Sequence, residues 1–272
     1  MMLFAHKFLL LVIGVLCLAT NAAAQNSDQS HLPPSGISAL TTNSELQNLF
    51  DRGEYQALID RANTDPSTEN LVMAARAANT IAYFSESNKK AKRASKQAYG
   101  FATMAMEKDS NNAEAFVQAA IGDAVYASRI SPIIAFVQGY AVRSRRNLDR
   151  ALALDPDNPW ALSTSGAWHL EVKRAGGARL YGASEQTGFD QFQKARALLP
   201  NEISIAYEMA LRVLAFKNPD WREDALAALD VATKAETVSS SFGAEIQNRA
   251  DAFSAEIEKG PAAERAFIKA QH

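Results

Sequence analysis

The stretch from Gly166 to Gly188, GAWHLEVKRAGGARLYGASEQTG, gathers the residues of this chain best suited to bind something. Lys173, Arg174 and Arg179 surround the pair Gly176-Gly177. Two glycines let a backbone approach a ligand closely, and cations beside them can hold a carboxylate or phosphate. Ser184 would cap the next helix, whose free first-turn N–H groups favour the same anion. Trp168, His169, Glu171 and Tyr181 complete the candidate ligand- or partner-binding set. The same residues also fit a second reading. Gly176 can end a helix in the left-handed conformation, with the basic residues complementing the negative end of the helix dipole.

Other chemistry finds less support. His169 is the only histidine in a periodic segment, since His6, His31 and His272 lie near the chain ends. No histidine pair has the spacing of a helical zinc site, so no metal is expected. A Ser–His–acid arrangement would draw on Ser165, His169 and Glu171, but no G-x-S-x-G elbow presents the serine. Carboxylates such as those of DWRED (Asp220–Asp224) fall at helix starts, where they stabilise exposed N–H groups. Phosphate-cradling and dinucleotide glycine loops are missing. We therefore expect no catalytic residue and no cofactor.

The elements that position these residues are helical. Ala, Leu, Glu, Lys and Arg dominate beyond Asn43, and apolar residues recur three and four apart, as in Tyr207, Leu211 and Leu214. Four segments share one layout: NTDPSTENLVMAA, EKDSNNAEAFVQAA, ALDPDNPWALSTSG and ALLPNEISIAYEMA. Each places a turn after one helix and a small or aromatic residue at the start of the next. The turn residues Pro66, Ser110, Pro156 and Pro200 are 44, 46 and 44 positions apart. The expected fold is all-α, a tetratricopeptide-like right-handed superhelix of about five antiparallel helix hairpins between Asn43 and Lys259. Its period exceeds the simple repeat of roughly 34 residues by about ten. ISPIIAFVQGYAV and the Gly-Gly segment fall between hairpins and would absorb the excess. Trp221–Glu236 and Ser240–Lys259 would form the last pair, bounded by Gly260-Pro261.

Ahead of this domain (44–272), residues 1–24 read as a signal peptide: Lys7, an apolar run of about a dozen residues, then Ala22-Ala23-Ala24. The run is shorter than the roughly 20 residues that span a bilayer, so no transmembrane segment is expected after cleavage at Ala24. Residues 25–43 are polar, with serines and prolines, and read as a flexible leader. The only cysteine, Cys17, lies in the apolar run. A mature chain would thus lack disulfides and thiol chemistry. The location implied is periplasmic or secreted. With 28 basic and 30 acidic residues, net −2, the chain lacks the basic footprint of a nucleic-acid binder. Its basic runs, KKAKRASK (Lys89–Lys96) and RSRR (Arg143–Arg146), read as solvated helix faces.

The unit RRNLDRALALDPDNPWALSTSGAWHL resembles the tetratricopeptide repeat through Ala151, Leu154, Asp155, Pro156, Ala161 and Gly166. The following stretch resembles bacterial tetratricopeptide-like relatives of the regulator of microtubule dynamics family. That likeness rests on Gly166, Trp168, His169, Glu171, Val172, Gly176, Gly177, Tyr181, Gly182, Ala183, Ser184, Phe192, Ala195 and Pro200, within Lys96–Ala235. It implies a helical-repeat scaffold without established catalysis. The microtubule association of eukaryotic members does not carry over to an exported chain. A looser resemblance, through Arg150–Pro156 and Ile133–Val142, is to the T component of TRAP-type transporters. That family is implicated in handling small apolar ligands and partnering a solute-binding protein.

The expected function is a non-catalytic exported scaffold that binds another protein or peptide through its concave face. An alternative is a carrier of a small apolar ligand, with Ile133, Ile134, Phe136 and Val137 lining a pocket. A third reading, an enzyme using His169 and Glu171, would need those groups to converge with a nucleophile. An enclosed apolar pocket would favour the carrier, and an open polar groove the peptide binder.

Overall fold

The computed structural model describes residues 41–271, apart from 236, 237 and 239; residues 1–24, expected as a signal peptide, and residues 25–40 of the expected leader lie outside them. Fourteen helices and no strand occur among the described residues. In chain order they are α1 (Ser44–Asp51), α2 (Tyr55–Thr64), α3 (Thr68–Phe84), α4 (Asn88–Lys108) and α5 (Ala113–Ser128). Then come α6 (Pro132–Val137), α7 (Tyr140–Leu154), α8 (Pro159–Arg174), α9 (Ala178–Tyr181) and α10 (Glu185–Leu198). The last four are α11 (Ile203–Leu214), α12 (Pro219–Thr233), α13 (Ser241–Glu258) and α14 (Pro261–Ala270).

The repeated turns act as helix caps. Ser67, Asn112, Asn158 and Glu202 precede α3, α5, α8 and α11, and each side chain accepts a backbone N–H of the first turn. Such caps are worth about 0.5–2 kcal/mol each. The repeat is therefore a repeat of helix starts. The hairpins are α1/α2, α3/α4, α5/α7, α8/α10, α11/α12 and α13/α14, with successive hairpins in contact. The excess over the simple period appears as α6 in one repeat, α9 in another, and the long pair α3/α4. Residues 41–43, expected in the leader, pack with the fold: Thr41 is buried and hydrogen-bonds Glu69, and Asn43 caps α1. The array also continues past its expected end. Pro261 opens α14 at a position where its missing N–H costs nothing, and Phe267 stacks on Phe253 at 4.8 Å.

The first helices of the central hairpins, α8 and α11 above all, are buried nearly all round. Every residue of α11, and every residue of α8 from Pro159 to Val172, is buried, polar ones included. Trp160, Trp168, Phe192 and Tyr207 lie in the core as expected, while Phe116 and Tyr126 are only half-buried. The two ends of the array meet, with the Phe242 ring of α13 at 6.0 Å from Phe50 in α1 and 5.6 Å from Phe84 in α3. Tyr83 of α3 donates a hydrogen bond to Glu208 of α11 at 2.9 Å, across 125 residues of sequence. These contacts bring the chain's own side chains together on the side where a concave binding face was expected. The array curls until its own side chains fill the inside.

Candidate functional site

The Gly-Gly break is a helix stop. Gly176 has φ +84°, its N–H bonds the carbonyl of Lys173, and that of Gly177 bonds the carbonyl of Val172. This six-to-one and five-to-two pair is the Schellman arrangement, which satisfies carbonyls left free at a helix end. Ser184 caps α10, its Oγ accepting the Thr187 N–H at 3.2 Å. The cations do not form a cradle. Arg174 turns inward to Glu171 at 2.6 Å, Lys173 lies 3.9 Å from Glu185, and Arg179 stands exposed on α9. Tyr181 is half-buried, and that burial raises its hydroxyl pKa.

Trp168 is fully buried and donates from Nε1 to the carbonyl of Ala141 at 3.0 Å. His169 packs edge-on against it. Nδ1 of His169 accepts the Ser184 N–H at 3.0 Å, and Nε2 lies 2.6 Å from Nη1 of Arg145. Burial, then the neighbouring Arg145 charge, pushes the imidazole pKa down to about 4. His169 thus ties α8 to the start of α10 as a neutral acceptor. Because its folded pKa lies below the unfolded value, its contribution is complete above about pH 6.5 and fades as pH falls toward 4. His169→Asn keeps an acceptor without that titration. The variant should show a flatter loss of stability between pH 6.5 and 4, read by urea unfolding across that range.

Glu171 accepts from Arg174 and from Arg212 Nη1 at 3.1 Å. Arg212 also bridges to Glu208, which accepts from Tyr83. Burial raises the Glu208 pKa, with Arg212 opposing it. Burial also works to discharge Arg212, but Glu208 and Glu171 outweigh it and hold the guanidinium more firmly protonated than in water. Ser165, His169 and Glu171 are engaged with different partners or, for Ser165 Oγ, with none, and make no relay. This stretch joins three hairpins.

Ile133, Ile134, Phe136 and Val137 are not enclosed by the described residues. They are 64, 47, 50 and 76 % exposed, and only Ala135 of α6 turns inward, onto Ala127 and Tyr140. A helix of six residues, capped by Ser131 and stopped at Gln138-Gly139, can seat one narrow face and no more.

A feature the sequence reading passed over lies between α2, α3 and α4. An open cleft of about 460 Å³ is lined by Tyr55, Gln56, Ile59, Ile81, Lys90, Arg93 and Gln97, among others. Lys90 and Arg93 are exposed and make no ion pair among the described residues. Lys89 and Lys90 occupy the first turn of α4, where the helix dipole disfavours cations. Charge placed against the dipole was the signal available in KKAKRASK.

Paired helices with repeated caps, closed on a polar interior, define a tetratricopeptide-like helical-repeat protein. Residues 40–258 match the model of the family described as regulator of microtubule dynamics protein 1-3, and the chain belongs to that family. No curated protein is significantly similar to it.

Proposed function

We propose that the chain is a non-catalytic, exported scaffold that binds another protein, through the cleft of α2, α3 and α4 and not through a concave face. The observation that carries this reading is an open, polar cleft with two unpaired cations on its rim. Such a cleft suits an extended segment bearing acidic side chains, held by charge-assisted hydrogen bonds. The apolar-ligand carrier has less support, because the residues meant to enclose the ligand are about half exposed or more. A photo-crosslinking residue at Gln97 should give one discrete protein adduct in cells. The double variant Lys90→Glu/Arg93→Glu should abolish that adduct without lowering the unfolding midpoint, since both side chains are exposed and an acid suits the first turn of α4. An adduct that survives charge reversal would reject the cleft as the binding surface.

A further inference from the structure

We infer that the knob formed by α6 docks this protein onto an anionic lipid surface. Ile133, Ile134, Phe136 and Val137 are all exposed, and Val142, 54 % exposed at the start of α7, extends the patch. Successive residues of a helix point about 100° apart, so these side chains spread over several faces of a short protruding helix. A protein groove would have to enclose such a knob from several sides. The boundary between headgroups and acyl chains does so without shape matching. At the root of α6, Tyr126 packs against Tyr140 at 5.3 Å, and amphipathic aromatic rings suit the interfacial depth.

The surrounding charge selects the lipid. Lys96 sits 5.0 Å over the Tyr126 ring, and Arg129 donates to Asn88 at the start of α4. These contacts place the α4 basic run beside α6. Lys89, Lys92, Lys96, Arg129 and Arg146 make no ion pair among the described residues, and Nε of Arg129 has no partner. Residues 87–106 and 124–148 contain no Asp or Glu. Of the acids that flank these stretches, Asp123 and Asp149 are engaged by Arg143 and Arg145, while Glu86 and Glu107 lie exposed at the two ends of the 87–106 stretch. An apolar knob inside a ring of unpaired cations matches an anionic bilayer, where each Lys or Arg near the surface adds attraction and salt weakens it. The cleft of the proposed function lies about 100° further round α4, through Lys90, Arg93 and Gln97, so different side chains test the two surfaces.

Co-sedimentation of the full chain with vesicles of equal parts phosphatidylglycerol and phosphatidylcholine tests the inference. Every variant carries the same N-terminus, so differences from the parent isolate α6 from any contribution of residues 1–40. The parent should partition at least about tenfold more strongly onto these vesicles than onto pure phosphatidylcholine, and less strongly at high salt. Ile133→Asp/Phe136→Asp should cut partitioning about tenfold or more, and Lys89→Glu/Lys96→Glu should remove the preference for anionic lipid. All four side chains are exposed, and an unchanged circular dichroism melt verifies the fold. Partitioning unaffected by the α6 variant, or equal on both vesicle types, would overturn the inference. So would loss of a protein partner by the α6 variant without any vesicle binding by the parent.

Discussion

Arg212→Met is expected to lower the unfolding free energy by about 3–5 kcal/mol, the cost of breaking a buried ion pair by removing one partner. Arg212 is 4 % exposed and lies between Glu208 and Glu171, which are themselves 1 and 2 % exposed. Without the guanidinium, two carboxylates remain inside. Glu171 keeps Arg174, and Glu208 keeps the Tyr83 hydroxyl. For a domain of this size each kcal/mol shifts the melting midpoint by about 2–4 °C, so the variant should melt roughly 10 °C lower. The deficit should depend on pH with a definite sign. Burial already raises the Glu208 pKa, and removing Arg212 raises it further. The penalty of holding it ionised is complete above the carboxylate range and fades as pH falls through it. Adding Glu208→Gln should restore part of the stability at neutral pH. A loss under about 1 kcal/mol at pH 7 would mean that water reaches these groups.

That network also marks where the sequence stopped being readable. The repeat of turns was legible because each turn is a local device: Ser67, Asn112, Asn158 and Glu202 cap helices a few atoms away. The Gly176 stop was legible for the same reason. Closure of the array was not, because it depends on pairs such as Tyr83 with Glu208 and Glu171 with Arg212, 125 and 41 residues apart. By type these side chains belong at a surface, and only the curl of the whole array buries them. Helix α8 also lacks a one-sided stripe, since it mixes Ser163, Thr164, Ser165, His169 and Glu171 with its aromatics on buried faces. A helix buried all round gives no amphipathic signal. The α6 error has a different origin. Apolar runs usually bury themselves, and nothing in PIIAFV says that the helix is too short to do so.

Gly166→Ala should destabilise the protein, and the sign of the change makes it diagnostic. In a helix interior alanine ordinarily stabilises relative to glycine, by up to about 1 kcal/mol. Gly166 in α8 and Gly188 in α10 reverse that preference because the two backbones touch there. A Cβ on Gly166 would sit 2.8 Å from the Gly188 carbonyl oxygen and 3.0 Å from Cδ2 of Phe192. A Cβ on Gly188 would sit 2.9 Å from the Gly166 carbonyl oxygen and 2.8 Å from Cγ of Leu170. Backbone oxygens cannot rotate aside, and Phe192 is fully buried, so the helices would have to separate. Overpacking of this kind costs about 1–3 kcal/mol, and the separation would also stretch the His169 to Ser184 bond between the same helices. Gly100→Ala provides the control. Gly100 lies exposed within α4 with nothing within 4 Å of its added Cβ, and the substitution should stabilise by a few tenths to about 1 kcal/mol. Urea unfolding of the three alanine variants should therefore move Gly166 and Gly188 one way and Gly100 the other. If all three moved together, helix propensity and not close approach would govern the α8/α10 contact.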